Sequence, residues 1–329
     1  MVDPTVSVVV PSLNRASVIR QTLDSILAQD HASIECIVMD GGSSDGTLDI
    51  LRSYGDRIRW VSEADQGQAD AIDRGLRRSR GQICGWLNAD DIWWAPTVVS
   101  KVVAAFESDD AADVIYGDCA SIASDGSHIG KSYVVPDWTL RYSVEHADHC
   151  IAQPASFIRR RALERVGFLD RSKIFMDWDL WLRIGLDGKI KYLPICLAAA
   201  RDGEHHWHRK YAEAAAEWVE TLARALDDPR MPEDIRCHRN KALCHAYMRG
   251  MRYCWAGGRR LAETFRFGMN AARYDPQVIP DVLLTAKQFA DEASRPNAAA
   301  VFSTLNRFWL MANRARRRAR EIGRRLKIQ

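Results

Sequence analysis

The sequence has little of what marks several common classes. Its eight cysteines are scattered, with no CxxC pair and no tight spacing. That argues against a zinc ribbon or a dense disulfide framework and for reduced thiols. No apolar run approaches the roughly 18 to 20 residues of a membrane span. Met1–Thr5 carries Asp3 and Pro4, without the basic start and small-residue cleavage site of a secretory signal. The GxGxxG and P-loop phosphate motifs are absent. A formal net charge of +3 over 329 residues is too small a bias to point to nucleic acid. The expectation is a cytoplasmic chain with no nucleic-acid partner, touching a membrane only peripherally if at all.

What is present is ordinary globular composition, 47% hydrophobic and 27% charged, at a length that suits one large domain and a smaller unit. Thr5–Val10, Ile34–Met39, Ile58–Ser62 and Ile83–Leu87 are short apolar runs that read as buried strands. Between them lie helical spacings: Val18, Ile19, Leu23, Ile26 and Leu27, then Thr47 to Tyr54, then Gln66–Arg78 with Ala69, Ile72 and Leu76 on one face. This β-α-β-α-β-α-β order predicts a largely parallel, doubly wound sheet. Ligands of such sheets bind beyond the carboxyl ends of the strands. Each strand end here is polar: Asn14, Asp40 with Asp45, Glu63 with Asp65, and Asn88 with Asp90 and Asp91.

The last of these is the most telling. In Cys84-Gly85-Trp86-Leu87-Asn88-Ala89-Asp90-Asp91 an apolar run ends in an amide and two carboxylates. Carboxylates there need a cation or hydrogen-bond donors. A divalent metal bridging to a phosphate would satisfy them, and so would a turn or helix cap. The acid-rich edge suits a nucleoside and metal-bridged phosphate better than a dinucleotide.

Beyond a helix from Thr97 to Phe106, Val114–Tyr116, Cys119–Ala123 and His128–Val135 read as short antiparallel strands, and Ile151–Ile158 as another. Arg160–Val166 reads as a short helix. Asp177 sits near a helix start, where the dipole favours a carboxylate, with Leu180, Trp181 and Ile184 facing the core. Ile190–Leu197 is a further strand. From about Tyr211 strand patterns vanish, and helices are expected at Tyr211–Leu226, Pro232–Trp255, Arg259–Arg273, Ile279–Glu292 and Ala298 to about Leu326. His245–Pro276 resembles one tetratricopeptide-like hairpin, but a single repeat is weak evidence and a plain helical bundle is the preferred reading. The expected domains are 1–210 and 211–329. The tail from Arg307 to Gln329 holds nine basic residues and one acid, Glu321. It suits an anionic membrane surface, or equally a solvated basic helix. His146, His149 and Cys150 have only loose metal spacing, and Trp93, Trp94 and Trp138 suit either sugar stacking or core packing.

Six motifs, in order over the first two thirds of the chain, resemble glycosyltransferase family 2, the inverting enzymes of GT-A fold. They are VSVVVPSLNR, IECIVMDGGSSDGT, DQGQADAIDRG, GWLNADD, QPASFIRRRALERVGFLD and FMDWDLWLR. The resemblance implies a GT-A-type, Rossmann-like, mostly parallel sheet with an antiparallel acceptor-side extension; the helical C-terminal third is not covered. It implies transfer of a sugar from a nucleotide-sugar donor, UDP-linked for preference, to a hydroxyl of a glycan or lipid-linked glycan, with Mg²⁺ or Mn²⁺. Pro11 and Asn14 would lie against base and ribose. Asp40 would accept from the base imide, though it also suits an Asx turn. Asp65 and Asp70 would contact base, ribose or sugar, though Asp70 also suits a solvated helix face.

Asn88, Ala89 and Asp90 occupy the family's DXD positions. Asp90 is the leading metal ligand, with Asp91 beside it. Asn88 departs from the usual aspartate and suits a hydrogen bond to the donor. Asp177 would be the general base, with Met176 where the family has glutamate. Asp179 is the alternative, but it is turned roughly 200° away on the helix. His205, in the cluster His205-His206-Trp207-His208, would close over the diphosphate. The competing readings are a non-catalytic sugar-nucleotide-binding or assembly module, and a nucleotidyltransferase, for whose first loop SLNRAS is a poor match.

Overall fold

The protein is described by a computed structural model over residues 5–131, 138–148, 150–202, 210–256 and 261–279, with Val282. Among these, nine strands form one sheet: β1 Val6–Ser12, β2 Ile34–Asp40, β3 Arg59–Ser62, β4 Ile83–Trp86, β5 Ile92–Trp93, β6 Ala112–Ile122, β7 His128–Lys131, β8 Ser156–Arg159 and β9 Lys189–Arg201. The helices are α1 Ile19–Leu27, α2 Thr47–Ser53, α3 Gln68–Arg78, α4 Val98–Ser108, α5 Leu140–His146, α6 Arg160–Val166, α7 Met176–Gly185, α8 Tyr211–Asp227, α9 Glu233–Arg236, α10 Arg239–Ala256 and α11 Leu261–Tyr274. The strand order is β3-β2-β1-β4-β8-β6-β9-β5, with β7 on β6. The first four strands pair in parallel, and β8, β7 and β5 run antiparallel to their neighbours.

The two-residue alternation of a strand divides the core. Val6, Val8 and Val10 of β1 face α1 and α4 through Ile19, Leu23, Val99 and Val102. Val9, Ile37 and Met39 face the opposite side, against Ala69, Ile72 and Leu76 of α3. That second core continues without a break through Trp178 and Trp181 of α7 to Trp218 of α8, Met251 of α10 and Phe267 of α11. The helical C-terminal region is therefore packed onto the sheet's α3 face, and α10 lies against both α8 and α11.

Several elements differ from the pattern of the sequence. β1 runs through Pro11 to Ser12, with Pro11 opposite Met39. The Val9 carbonyl accepts from Leu87 N at 2.9 Å, so the nitrogen of Pro11 points the same way, past the last β1–β4 pair, Val9–Trp86. Its missing N–H is not needed there. The two strands expected at Val114–Tyr116 and Cys119–Ala123 are one strand, β6, and it runs parallel to β9. Gly117-Asp118, between the two expected strands, is a register shift within the one strand. A Cβ on Gly117 would stand 2.5 Å from the Ile195 carbonyl oxygen, so only glycine fits that close approach.

The expected strand Ile151–Ile158 is mostly a loop with a single turn at Gln153–Ala155, and only Ser156–Arg159 pairs; Pro154 cannot donate to a ladder. β5 was missed because two residues carry no periodicity. The expected helix Pro232–Trp255 is split into α9 and α10. Of the expected strand His128–Val135, residues 132–135 lie outside the described residues, as do His149, the cluster His205–His208 and nearly all of the chain after Ile279 with its basic tail. No described helix is long and apolar enough to cross a membrane.

Candidate active site

The loops that follow β1 and β2 are laced together by their polar side chains. Asn14 takes φ 52°, a left-handed conformation that asparagine tolerates. Its N–H donates to Ser43 Oγ at 2.7 Å, and its Oδ1 accepts from Ser44 N at 2.9 Å. Arg15 N donates to Thr47 Oγ1 at 3.0 Å and Ala16 N to Asp45 Oδ2 at 3.0 Å. The Thr47 hydroxyl and the Ala16 N–H hold the Asp45 carboxyl below the ordinary aspartate range.

Asp40, at the end of β2, is buried. Its Oδ2 accepts from Gly42 N (3.1 Å), Ser43 N (2.9 Å) and Ser62 Oγ (2.7 Å), and its Oδ1 from Ser43 Oγ at 2.5 Å. It thus forms the Asx turn that the sequence allowed, and an anionic carboxylate has about four acceptor directions, of which one on Oδ1 remains. Asp65 rests over Gly41, where a Cβ would come within 2.7 Å of its Oδ2. Its Oδ1 accepts from Gly67 N at 2.9 Å, at the start of α3. Asp70, in the first turn of α3, is buried rather than on a solvated face. It pairs with Arg171 at 3.1 Å and Arg74 at 3.7 Å, and accepts from Gln66 N at 3.2 Å.

After β4 the side chains divide the work. Asn88 is held on both atoms of its amide: Oδ1 accepts from Gln68 Nε2 at 2.6 Å, and Nδ2 donates to Asp91 Oδ2 at 2.9 Å and to Gln153 Oε1 at 3.4 Å. An aspartate at 88 would set a second carboxylate against a buried one, so the amide here has a local electrostatic reason. Asp91 is turned inward. Its Oδ1 accepts from Arg201 N at 3.1 Å. Burial, with Asp90 beside it, pushes its carboxyl up to about 7. Each oxygen thus takes one hydrogen bond inside the fold, and burial turns the carboxylate that was expected beside Asp90 as a metal ligand away from solvent. Ala89 is buried in the sheet's α1 and α4 face.

Asp90 is the partly exposed carboxylate of the two, with side-chain exposure of 31% and Arg15 at 3.9 Å. A hard divalent cation fits this donor set through one carboxylate, with diphosphate and water oxygens completing its shell. Among the described residues no group of three or more His, Cys, Asp or Glu could hold a metal by itself. His146 stacks on Tyr142 and the Cys150 thiol donates to the Asp148 carbonyl at 3.4 Å. Trp93 and Trp138 are core residues, while Trp94 is 43% exposed beside His128.

Asp177 is the second residue of α7 and half-buried, and its Oδ1 accepts from Trp178 N at 2.8 Å. Trp181, four residues on and so on the same helix face, stacks on Trp86 with centroids 6.1 Å apart and 10° between planes. Trp86 ends the strand that delivers Asn88 and Asp90. Asp179, the alternative, is buried and paired with Arg183 and Arg224.

Three contributors were not singled out from sequence. Gln68 and Gln153 hold Asn88, and Gln153 Nε2 also donates to the Trp86 carbonyl at 2.7 Å. Arg201 ties the Asp90 carbonyl to those of Ala123 and Ser124 and to Gln21. Both glutamines lay inside quoted motifs, but Arg201 lies 111 residues from Asp90 and carried no local mark.

The family model for glycosyl transferase family 2 matches residues 7–167. A PGL/p-HBAD biosynthesis glycosyltransferase of Mycobacterium tuberculosis is 30% identical over 188 residues, covering 56% of this chain and 70% of that protein. The chain belongs to glycosyl transferase family 2. An uncharacterized glycosyltransferase of Rickettsia typhi is 31% identical to this family 2 chain over 190 residues, 55% of the chain and 58% of the relative. The match thus spans less than two thirds of that relative's length.

The fold is shared with two solved structures. S. aureus TarS 1-349 in complex with UDP-GlcNAc has a TM-score of 0.63 at 17% identity, covering 87% of this chain and 88% of that one. A mannosyltransferase from Pyrobaculum calidifontis, in complex with GDP-Man and Mn²⁺, has a TM-score of 0.60 at 20% identity, covering 94% and 88%. The architecture of this family 2 chain is the GT-A-like one: a mixed, mostly parallel sheet followed by a helical C-terminal region.

Proposed function

We propose that this chain transfers a sugar, with inversion, from a nucleotide-sugar donor to a hydroxyl of a glycan or lipid-linked glycan. A UDP-linked donor is our first choice. The observations that carry the reading are a partly exposed Asp90 in the loop after β4 and Asp177 on α7, one helical turn from the tryptophan that stacks on the last residue of that strand. In this reading Pro11, Asn14, Asp40 and Asp65 line the base and ribose, and Arg15 and Asp90 meet the diphosphate. Asp70 acts through Arg171 rather than on the donor. Asp177 takes the proton of the acceptor hydroxyl as its oxygen bonds to the anomeric carbon and the bond from that carbon to the diphosphate breaks. Mg²⁺ or Mn²⁺ held by Asp90 and the diphosphate would supply charge neutralisation on the leaving group. Two relatives of known structure are named with UDP-GlcNAc and with GDP-Man and Mn²⁺, which supports a nucleotide-sugar donor and leaves the base open between them.

The test is a thermal-shift screen of UDP- and GDP-sugars with and without Mn²⁺. A true donor at about 100 times its Kd adds about 2.7 kcal/mol of stability. If no nucleoside diphosphate raises Tm, the reading fails. Asp177→Asn should retain donor stabilisation and lose turnover; unchanged turnover removes the base assignment. Donor binding without turnover in the parent protein would favour a non-catalytic module.

A further inference from the structure

α7 begins without a cap of its own. The residue before its first turn is Phe175, whose side chain makes no capping hydrogen bond. The N–H groups at a helix start need acceptors, and for the two residues that lead into α7 the acceptor comes from α8. Ile174 N donates to both carboxylate oxygens of Glu217, at 2.9 and 2.8 Å, and Phe175 N to Oε1 at 2.8 Å.

The contact continues along α8. Trp218 stacks on Trp178 with centroids 4.2 Å apart and 16° between planes, and it meets the Phe175 ring edge-on at 4.5 Å. Lys173, itself buried, reaches Glu220 at 3.1 Å. Arg224 pairs with Asp179 and with Asp170. So the residues on either side of Asp177, from Lys173 to Asp179, are gripped by one face of α8, while among the described residues the Asp177 carboxylate takes only the next N–H of its own helix. Burial pushes the Glu217 carboxyl up, against the pull of the Ile174 and Phe175 N–H groups. A solubilising surface residue would have no reason to bear that cost.

We propose that Glu217 is a positioning residue for Asp177, fixing the first turn of α7 so that the Asp177 carboxylate is held in one direction toward the acceptor. This rests on the reading of Asp177 as general base. It makes α8, in the region beyond the family match, part of the catalytic scaffold.

The test uses the full chain with Glu217→Leu, Glu217→Gln and each combined with Asp177→Asn. In amide hydrogen exchange, peptides covering residues 174–178 should exchange about tenfold faster in Glu217→Leu while β1 and β2 peptides are unchanged. Glu217→Gln, which keeps an acceptor oxygen, should restore most of the protection. Unchanged exchange at 174–178 overturns the proposal, as does acceleration across the whole chain, which would make Glu217 a general stabiliser.

Turnover is read as UDP release from UDP-GlcNAc and GDP release from GDP-mannose, each with Mn²⁺. Glu217→Leu should lower kcat about tenfold with donor KM within about threefold, and should add nothing to Asp177→Asn. An additive loss overturns the proposal. If Asp177→Asn keeps full turnover, the base assignment falls, while hydrogen exchange still judges Glu217. If neither sugar is turned over by the parent protein, hydrogen exchange alone decides.

Discussion

At the residue scale, Asn88, Asp90 and Asp91 have three different jobs, and substitutions should separate them. Asp90 has Arg15 at 3.9 Å and sits partly exposed. Asp90→Asn should leave the Tm of the free protein nearly unchanged and abolish the Mn²⁺-dependent part of the stabilisation by UDP- or GDP-sugars, read by thermal shift. Asp91 accepts from both the Arg201 N–H and the Asn88 amide. In Asp91→Asn one of those buried donors faces another donor, so stability should fall by about 1–3 kcal/mol, read as a lower urea midpoint without any ligand. Asn88, Asp90 and Asp91 all read as site residues in the sequence. Which of them faces solvent did not, because the acceptor of a buried donor can be any residue the fold brings near.

At the element scale, the β1–β2–α3 layer depends on close approach and on one buried acid. A Cβ on Gly75 of α3 would stand 2.4 Å from Val9 Cγ1 and 3.0 Å from Met39 Cγ. Gly75→Ala should therefore cost about 1–3 kcal/mol by overpacking, despite the better helix propensity of alanine, measured by urea denaturation. Glu35 of β2 is buried, which alone would raise its carboxyl. The Ser7 hydroxyl at 2.7 Å, the Arg80 N–H at 3.0 Å and the Arg59 guanidinium outweigh that and hold it below the ordinary value of 4.5. A depressed carboxylate contributes stability that is complete above the unfolded value and lost as pH falls through the folded one. Stability should thus decline from about pH 5 downward. Glu35→Gln should be less stable at pH 7 and show a flatter acid limb, followed by circular dichroism.

At the scale of the whole molecule, the helices after residue 210 share a core with the sheet. Trp218 is fully buried among Trp178, Phe175 and Tyr253, and its Nε1 donates to the Ala147 carbonyl at 3.0 Å. Trp218→Ala should cost about 3–5 kcal/mol. A single cooperative unfolding transition, rather than loss of the helical part alone, would mark the two regions as one folding unit; a separate early transition would speak for independent domains.

The sequence by itself determined the parallel half of the sheet, the helices that cover it, and which strand ends carry acids, because period-two and period-3.6 apolar patterns are local. The six quoted motifs pointed to the family for the same reason, each being a short contiguous run. Only the tertiary structure decided the rest. It turned Asp70 into Arg171 and Asp91 into Arg201, used up nearly all of the Asp40 carboxylate in a turn, and made one strand of Ala112–Ile122. It also brought Glu217 and Trp218 of α8 to the helix that carries Asp177. Apart from the Asp40 turn, whose partners lie 2 to 22 residues away, each of these depends on partners 40 to 110 residues away in the chain, and a hydrogen bond or stacked ring across that span leaves no periodic trace in the sequence.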